Sequence, residues 1–300
     1  MNVVYSFYID IPDDRLVNDK PYQGDTINKN VRTKLELTKW KKWLIDKQRK
    51  YAESINAEYL FFEYDDQYKR YAEWFHNNFP DVNEYCIVNF YKIHLLYELA
   101  DKYEKVLYLD LDAIPVTREN FFDQNLNENG IGCKFESDGQ SERYFARATD
   151  QHYHRQREKG FNLYSDRSPE AKYWNCRAML VMQGHSGKNN VFNTGIIGAT
   201  KEHLDCLGYF DDFKDTLSLM TDLREDDGFF PSHIVRSFGY DNETVFSYKM
   251  NINSVKRFNL NDWHFPYHDL VNYIPKQSKI VHMIAKRFDV LEKYCEKNNI

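Results

Sequence analysis

Apolar positions along the chain fall into short unbroken runs, separated by longer stretches in which they recur at helical spacing. Residues 3–11 form a run rich in β-branched and aromatic side chains, closed by Pro12-Asp13-Asp14, and read as a buried strand. The polar residues 16–30 read as a loop. From 31 to 55, Leu35, Leu37, Trp40, Trp43 and Leu44 recur with helical spacing. A second strand at 59–64 stops at Asp65-Asp66. The clearest helix covers 85–103, with Ile87, Phe90, Tyr91, His94, Leu95 and Leu99 on one broad face. A third strand, 105–109, runs directly into Asp110-Leu111-Asp112-Ala113-Ile114-Pro115.

A further strand is predicted at 131–135. The pattern then breaks over about 137–177, a polar stretch carrying Arg143, Arg147, Arg155 and Arg157 that reads as an insertion with a helix around 145–159. Strands are predicted again at 178–182 and 191–199, helices near 201–220 and 228–238, and a last strand at 279–284 followed by a polar tail. Strands alternating with helices predict an α/β fold with a mostly parallel central sheet and flanking helices. No linker divides the chain, so residues 1–300 are expected to form a single domain bearing the insertion.

Composition narrows the function classes. Of the 300 residues, 42% are hydrophobic and 29% charged, and only twelve are glycine and eight proline, so the chain has a packed core and no long low-complexity tract. A net charge of −6 argues against nucleic acid as the main partner. A nucleotide diphosphate, neutralised locally by a metal and one or two cations, remains compatible with it. The five cysteines show no CxxC spacing and read as free thiols in a reducing compartment. The chain opens without a signal-like apolar run and has no stretch approaching 18 apolar residues, which predicts a cytoplasmic protein with no transmembrane segment.

Asp110 and Asp112 carry the strongest chemical signal. Residues i and i+2 of an extended chain project to one side, so both carboxylates can face one cation. They stand where a buried strand runs out, the edge at which open α/β sheets bind ligands. Mg²⁺ or Mn²⁺ is held by such carboxylates together with substrate phosphates. The plain alternative is a pair of solvated turn aspartates. Weaker signals lie elsewhere. Gly195, two residues after Asn193, interrupts an apolar strand and allows either close approach or a β-bulge. Asp226-Asp227 offer carboxylates for an acceptor hydroxyl, or a helix cap. His282 ends a strand with Lys286 beyond it, and Tyr8 and Asp10 end the first strand.

The 105–112 segment, KVLYLDLD, resembles the DxD strand of GT-A-fold glycosyltransferases, most of all family 8. Phe90-Tyr91-Lys92-Ile93 is similar to that family's donor-side helix, with Lys92 where arginine is usual. Phe192-Asn193-Thr194-Gly195-Ile196 resembles its Asn-x-Gly strand, and Val281-His282-Met283-Ile284-Ala285-Lys286 its C-terminal histidine and lysine segment. Lys286 follows His282 more closely than is usual there, and Asp226-Asp227 stand where the family has an Asp-Gln pair. The resemblance runs from about residue 2 to 287. It implies a GT-A-type fold with an acceptor-side insertion, and transfer of a sugar from a nucleotide-diphosphate sugar donor to a glycan or other hydroxyl acceptor. It implies Mn²⁺ or Mg²⁺ on Asp110, Asp112 and His282. Donor contacts are implied from Tyr8, Asp10, Lys92, Asp110, Leu111, Gly195 and Lys286, and sugar-side chemistry from Asn193, Asp226 and Asp227. The insertion and the 263–267 segment are expected to shape the acceptor site. The rival enzyme class is a haloacid dehalogenase-type phosphohydrolase, whose DxD lies on its first strand. The rival non-enzyme is a sugar- or nucleotide-binding protein on the same scaffold.

Overall fold

The computed structural model describes residues 1–12, 29–80, 82–136, 169–222, 241–267 and 273–300. The insertion helix around 145–159, the helix near 228–238, and Asp226 and Asp227 lie outside them. The chain divides into two compact units, one made of Met1–Lys134, Gly195–His203 and Lys256–Ile300, the other of Phe135–Thr194 and Leu204–Val255.

The first unit is built on strand β1 (Val3–Phe7), every residue of which is buried. It pairs in parallel with β2 (Glu58–Phe62) on one side and β3 (Val106–Leu109) on the other. Beyond β3 the sheet continues through β6 (Phe192–Ala199), β5 (Ile131–Phe135) and β7 (Arg257–Asn259), in the order β2-β1-β3-β6-β5-β7. β6 runs antiparallel to β3, while β5 and β7 are parallel. The result is the mixed α/β fold with a mostly parallel sheet that the sequence predicts.

Helices α1 (Lys29–Ser54), α2 (Asp66–Asn78), α3 (Glu84–Ala100) and α4 (Phe121–Asn125) belong to the same unit. α3 begins where the Asn83 side chain accepts a hydrogen bond from Cys86 N at 2.9 Å, satisfying one of the helix's orphan donors. It is buried nearly all round, by Ile87, Phe90, Tyr91, Ile93, Leu95, Leu96 and Leu99. Tyr5 of β1 ties it to the sheet by donating to Lys92 O at 2.6 Å.

A second, three-stranded sheet joins β4 (Ala113–Pro115), β9 (Ile280–His282) and β8 (His264–Pro266), with β9 central. The segment expected as a polar tail is instead helix α9 (Phe288–Asn298). Phe288, Leu291 and Cys295 share one helical face. They pack into an apolar cluster with Leu44, Leu111, Ile114 and Val281, and burial of that stripe outweighs the polar composition around it.

The second unit is helical around the beginning of β6. Its helices are α5 (Pro169–Met182), α7 (Phe213–Asp222) and α8 (Asn242–Ile252), while α6 (Lys201–Leu207) carries the chain out of the first unit. The strand expected at 178–182 is the end of α5. A five-residue apolar run does not separate strand from buried helix by periodicity. The helix expected over 201–220 is two helices, divided where Gly208 and Asp212 adopt left-handed backbone, at φ 54° and 49°. A buried polar network holds this unit. Lys172 donates to Glu243, which also accepts from Thr194 N at 2.8 Å, and Asn242 links Thr194 to the Tyr209 hydroxyl. All five cysteines are free. Among the described residues no helix is long and apolar enough to cross a membrane.

Candidate metal centre

The site begins at the carboxyl end of β3. Asp110 N donates to Gly195 O at 2.8 Å, extending the ladder with β6 by one step, and Ala113 N then donates back to Asp110 O at 2.8 Å, closing a tight turn. The aspartates therefore converge through a turn, not through alternation along a strand. Gln48 of α1, fully buried, fixes the turn from behind by donating to Asp110 O at 2.9 Å and Ala113 O at 3.0 Å. Between the two carboxylates, Leu111 places its side chain in the apolar cluster with Leu44 and Phe288, so that any contact it makes with a donor comes from its backbone.

Antiparallel pairing of β4 with β9 sets His282 opposite Ala113, and Met283 N donates to Asp112 O at 2.8 Å. His282 Nε2 consequently lies 3.4 Å from Asp112 Oδ1 and 3.6 Å from Asp110 Oδ2. One donor atom from each of the three residues falls within 4.8 Å of the others. Metal bonds of about 2.0–2.1 Å separate opposite ligands by about 4 Å, so these atoms stand close to the spacing that one cation requires. Two carboxylate oxygens and an imidazole nitrogen suit a hard or borderline divalent ion.

Two lysines border the cluster. Lys92, only 4% exposed, has its ammonium 3.2 Å from Asp110 Oδ1 and 5.2 Å from the centre of the Tyr108 ring. The Tyr108 hydroxyl donates to the same carboxylate. Lys286 donates to Asp112 Oδ2 from a left-handed backbone, φ 56°. Burial alone would raise the Asp112 carboxyl, but Lys286 and His282 outweigh it and hold the group well below the usual carboxylate range. Burial, reinforced by Asp110, pushes the Tyr108 hydroxyl well up, so it remains a protonated donor.

Gly195 is a close approach and not a bulge. A Cβ there would stand 2.5 Å from His282 Cε1 and 2.9 Å from Asp110 Oδ2. Behind His282, the buried His264 places its Nε2 3.0 Å from His282 Nδ1, with the rings stacked at 5.1 Å.

Tyr8 and Asp10 reach the same sheet edge. The β1–β3 register pairs Tyr5 with Tyr108, which puts Phe7 level with Asp110 and the next residues just past it. Tyr8 is half-buried and shares a 3.0 Å hydrogen bond with Thr38, while Asp10 is exposed and paired with Lys34 at 3.0 Å. Asn193, in the second unit, donates to Glu136 Oε1 at 2.9 Å. In the 263–267 segment, Trp263, His264 and Tyr267 are buried, the first against Phe121 in a core cluster, while Phe265 and Pro266 are partly exposed.

Sequence reasoning missed Gln48, Tyr108 and His264. Gln48 had a signal, being a polar residue four positions after Leu44 and four before Ala52 on a buried helix stripe. His264 had none, because its place depends on how β8 pairs with β9.

No protein-family model and no curated protein matches the chain. Among solved structures it is similar to a glycosyltransferase involved in glycosylation of the major capsid of PBCV-1, with 12% identity over 99% of this chain and 98% of that one and a TM-score of 0.47. It is similar to mouse xyloside xylosyltransferase 1, with 12% identity over 76% of each chain and a TM-score of 0.41. It is also similar to the galactosyltransferase LgtC in complex with donor and acceptor sugar analogs, with 12% identity over 95% of this chain and 87% of that one and a TM-score of 0.40.

Proposed function

We propose that this chain is a glycosyltransferase of the GT-A, family 8 type, moving a sugar from a nucleotide-diphosphate sugar to a hydroxyl acceptor such as a glycan, with Mn²⁺ or Mg²⁺ on Asp110, Asp112 and His282. The observation that carries the reading is the convergence of these three donors at the end of β3, bordered by Lys92 and Lys286. Two aspartates and two lysines cancel in charge, so a divalent cation leaves the centre at about +2, a match for a diphosphate and a poor match for a neutral sugar alone. When bound, the cation supplies Lewis-acid neutralisation of the leaving nucleoside diphosphate. Lys92 and Lys286, each now resting on an aspartate, are then placed to turn toward phosphate oxygens as charge-assisted donors. Gly195 leaves the space in which His282 and Asp110 meet.

In this reading residues 1–300 act as one transferase domain working in the cytoplasm, to which five free cysteines are suited. Tyr8 and Asp10 meet the nucleoside, and Leu111 and Gly195 meet the donor through their backbone. Asn193, Asp226 and Asp227 serve the sugar side, where replacing Asp226 or Asp227 by Asn is expected to lower turnover more than donor affinity.

The test is a panel of nucleotide sugars with Mn²⁺, read by release of nucleoside diphosphate and by mass of the glycosylated product. Metal-dependent release from at least one donor is expected. Release of phosphate from phosphomonoesters, with no nucleotide sugar turned over above a chelator control, would assign the chain to the phosphohydrolase class and overturn the reading.

A further inference from the structure

We infer that His264 is a positioning residue for the metal ligand His282, holding its ring so that Nε2 presents a lone pair to the cation. The inference rests on the metal reading above and assigns to that site a group outside the ligand set.

A ligating imidazole must offer a lone pair on the nitrogen that faces the metal, and its ring proton must then sit on the other nitrogen. Here the nitrogen facing Asp110 and Asp112 is Nε2, at 3.6 and 3.4 Å. The proton therefore belongs on Nδ1. Among the described residues the one hydrogen-bond partner of Nδ1 is His264 Nε2, at 3.0 Å. With His264 as acceptor, its own ring proton lies on Nδ1, and the pair carries one proton per ring. His264 Nδ1 is buried and has no partner among the described residues. Nδ1 lacks a partner in either tautomer, so the orphan atom does not by itself select between them.

The backbone holds His264 in place. β8 and β9 are parallel with His264 opposite Ile280 and Pro266 opposite His282, so the two histidines are diagonal neighbours on one face of the small sheet. His264 N donates to Leu260 O at 2.8 Å, and Ile280 N to Trp263 O at 2.8 Å. His264, 2% exposed, is enclosed beside His282, so water does not compete for the contact between the two rings. Hydrogen-bond partners of this kind typically change metal affinity by about 10–100-fold when removed.

The experiment is a titration of the nucleotide-free protein with Mn²⁺, following the signal of free Mn²⁺ by electron paramagnetic resonance, for the wild type, His264→Leu, His264→Gln and Asp112→Asn. His264→Leu is expected to weaken binding about 10–100-fold, and His264→Gln, whose side-chain amide can still accept from Nδ1, to restore most of it. In parallel, ¹⁵N-histidine spectra of the wild type with diamagnetic Mg²⁺ should show His282 protonated on Nδ1. This measurement decides the matter even if His264→Leu fails to fold. Unchanged affinity in both His264 variants, with binding lost in Asp112→Asn, overturns the positioning role and leaves the metal centre standing. A His282 ring protonated on Nε2 in the Mg²⁺-loaded protein overturns it equally. Absence of binding by the wild type removes the metal reading itself, and the inference with it.

Discussion

Lys286 donates from a left-handed backbone to Asp112, the same carboxylate that His282 approaches to within 3.4 Å. In the proposed metal centre, a tethered ammonium thus sits on a carboxylate that a divalent cation would have to share. Replacing Lys286 by Met removes a competing charge and a source of repulsion. Mn²⁺ affinity of the nucleotide-free protein is expected to rise, while affinity for a nucleoside diphosphate in the presence of Mn²⁺ falls, because a charge-assisted donor to phosphate is gone. Calorimetric titration with Mn²⁺ alone, and then with the nucleotide, reads both. Two changes of the same sign would show that Lys286 serves the site in only one way.

Asp112→Asn should lose metal-supported transfer by on the order of 10²-fold or more while the circular dichroism spectrum is kept, since the carboxylate faces the cluster and the turn is held by backbone bonds and Gln48. Full activity of this variant in excess chelator would remove the metal from the mechanism.

Gly195→Ala is expected to destabilise the protein by about 1–3 kcal/mol, the usual cost of overpacking, and to weaken Mn²⁺ binding as well, because the added methyl pushes on both His282 and Asp110. Gly132→Ala on β5 is the control. Its Cβ would meet Leu260 at 3.4 Å, ordinary contact, and metal binding should not change. Thermal unfolding and Mn²⁺ titration of the two variants distinguish a local clash at the site from a general intolerance of the sheet.

How much of this was legible in the sequence depends on the range of the interaction. β3 and the aspartates after it could be read because an apolar run ending in acids is a local pattern, and Lys92 because an isolated ammonium on an apolar helix demands a partner. That partner proved to be Asp110. α9 reads as a polar tail in sequence because its stripe of Phe288, Leu291 and Cys295 is short and diluted by charge, and its burial depends on Leu44 and Val281, which are distant in sequence. The contact between His264 and His282 was invisible for the same reason, and Leu111 looked like part of a motif when its side chain belongs to the core.

The second unit makes a separate prediction. Glu243→Gln leaves the buried Lys172 ammonium without its counter-charge, and losing one partner of a buried pair costs about 3–5 kcal/mol. Urea unfolding should report a loss of that size. A loss under about 1 kcal/mol, the range of surface pairs, would mean that water reaches Lys172.

The ion pair between Asp112 and Lys286 spans 174 residues, and this separation has a consequence for biosynthesis. On the ribosome the two aspartates emerge long before the histidine and lysine that meet them. Until β9 docks beside β4, the β3 end is a pair of like charges facing solvent, with only the Lys92 side of the site in place. If the proposed metal centre holds, competence to bind a cation therefore waits for β9, and metal binding would report that β9 has found its place beside β4 in the small sheet.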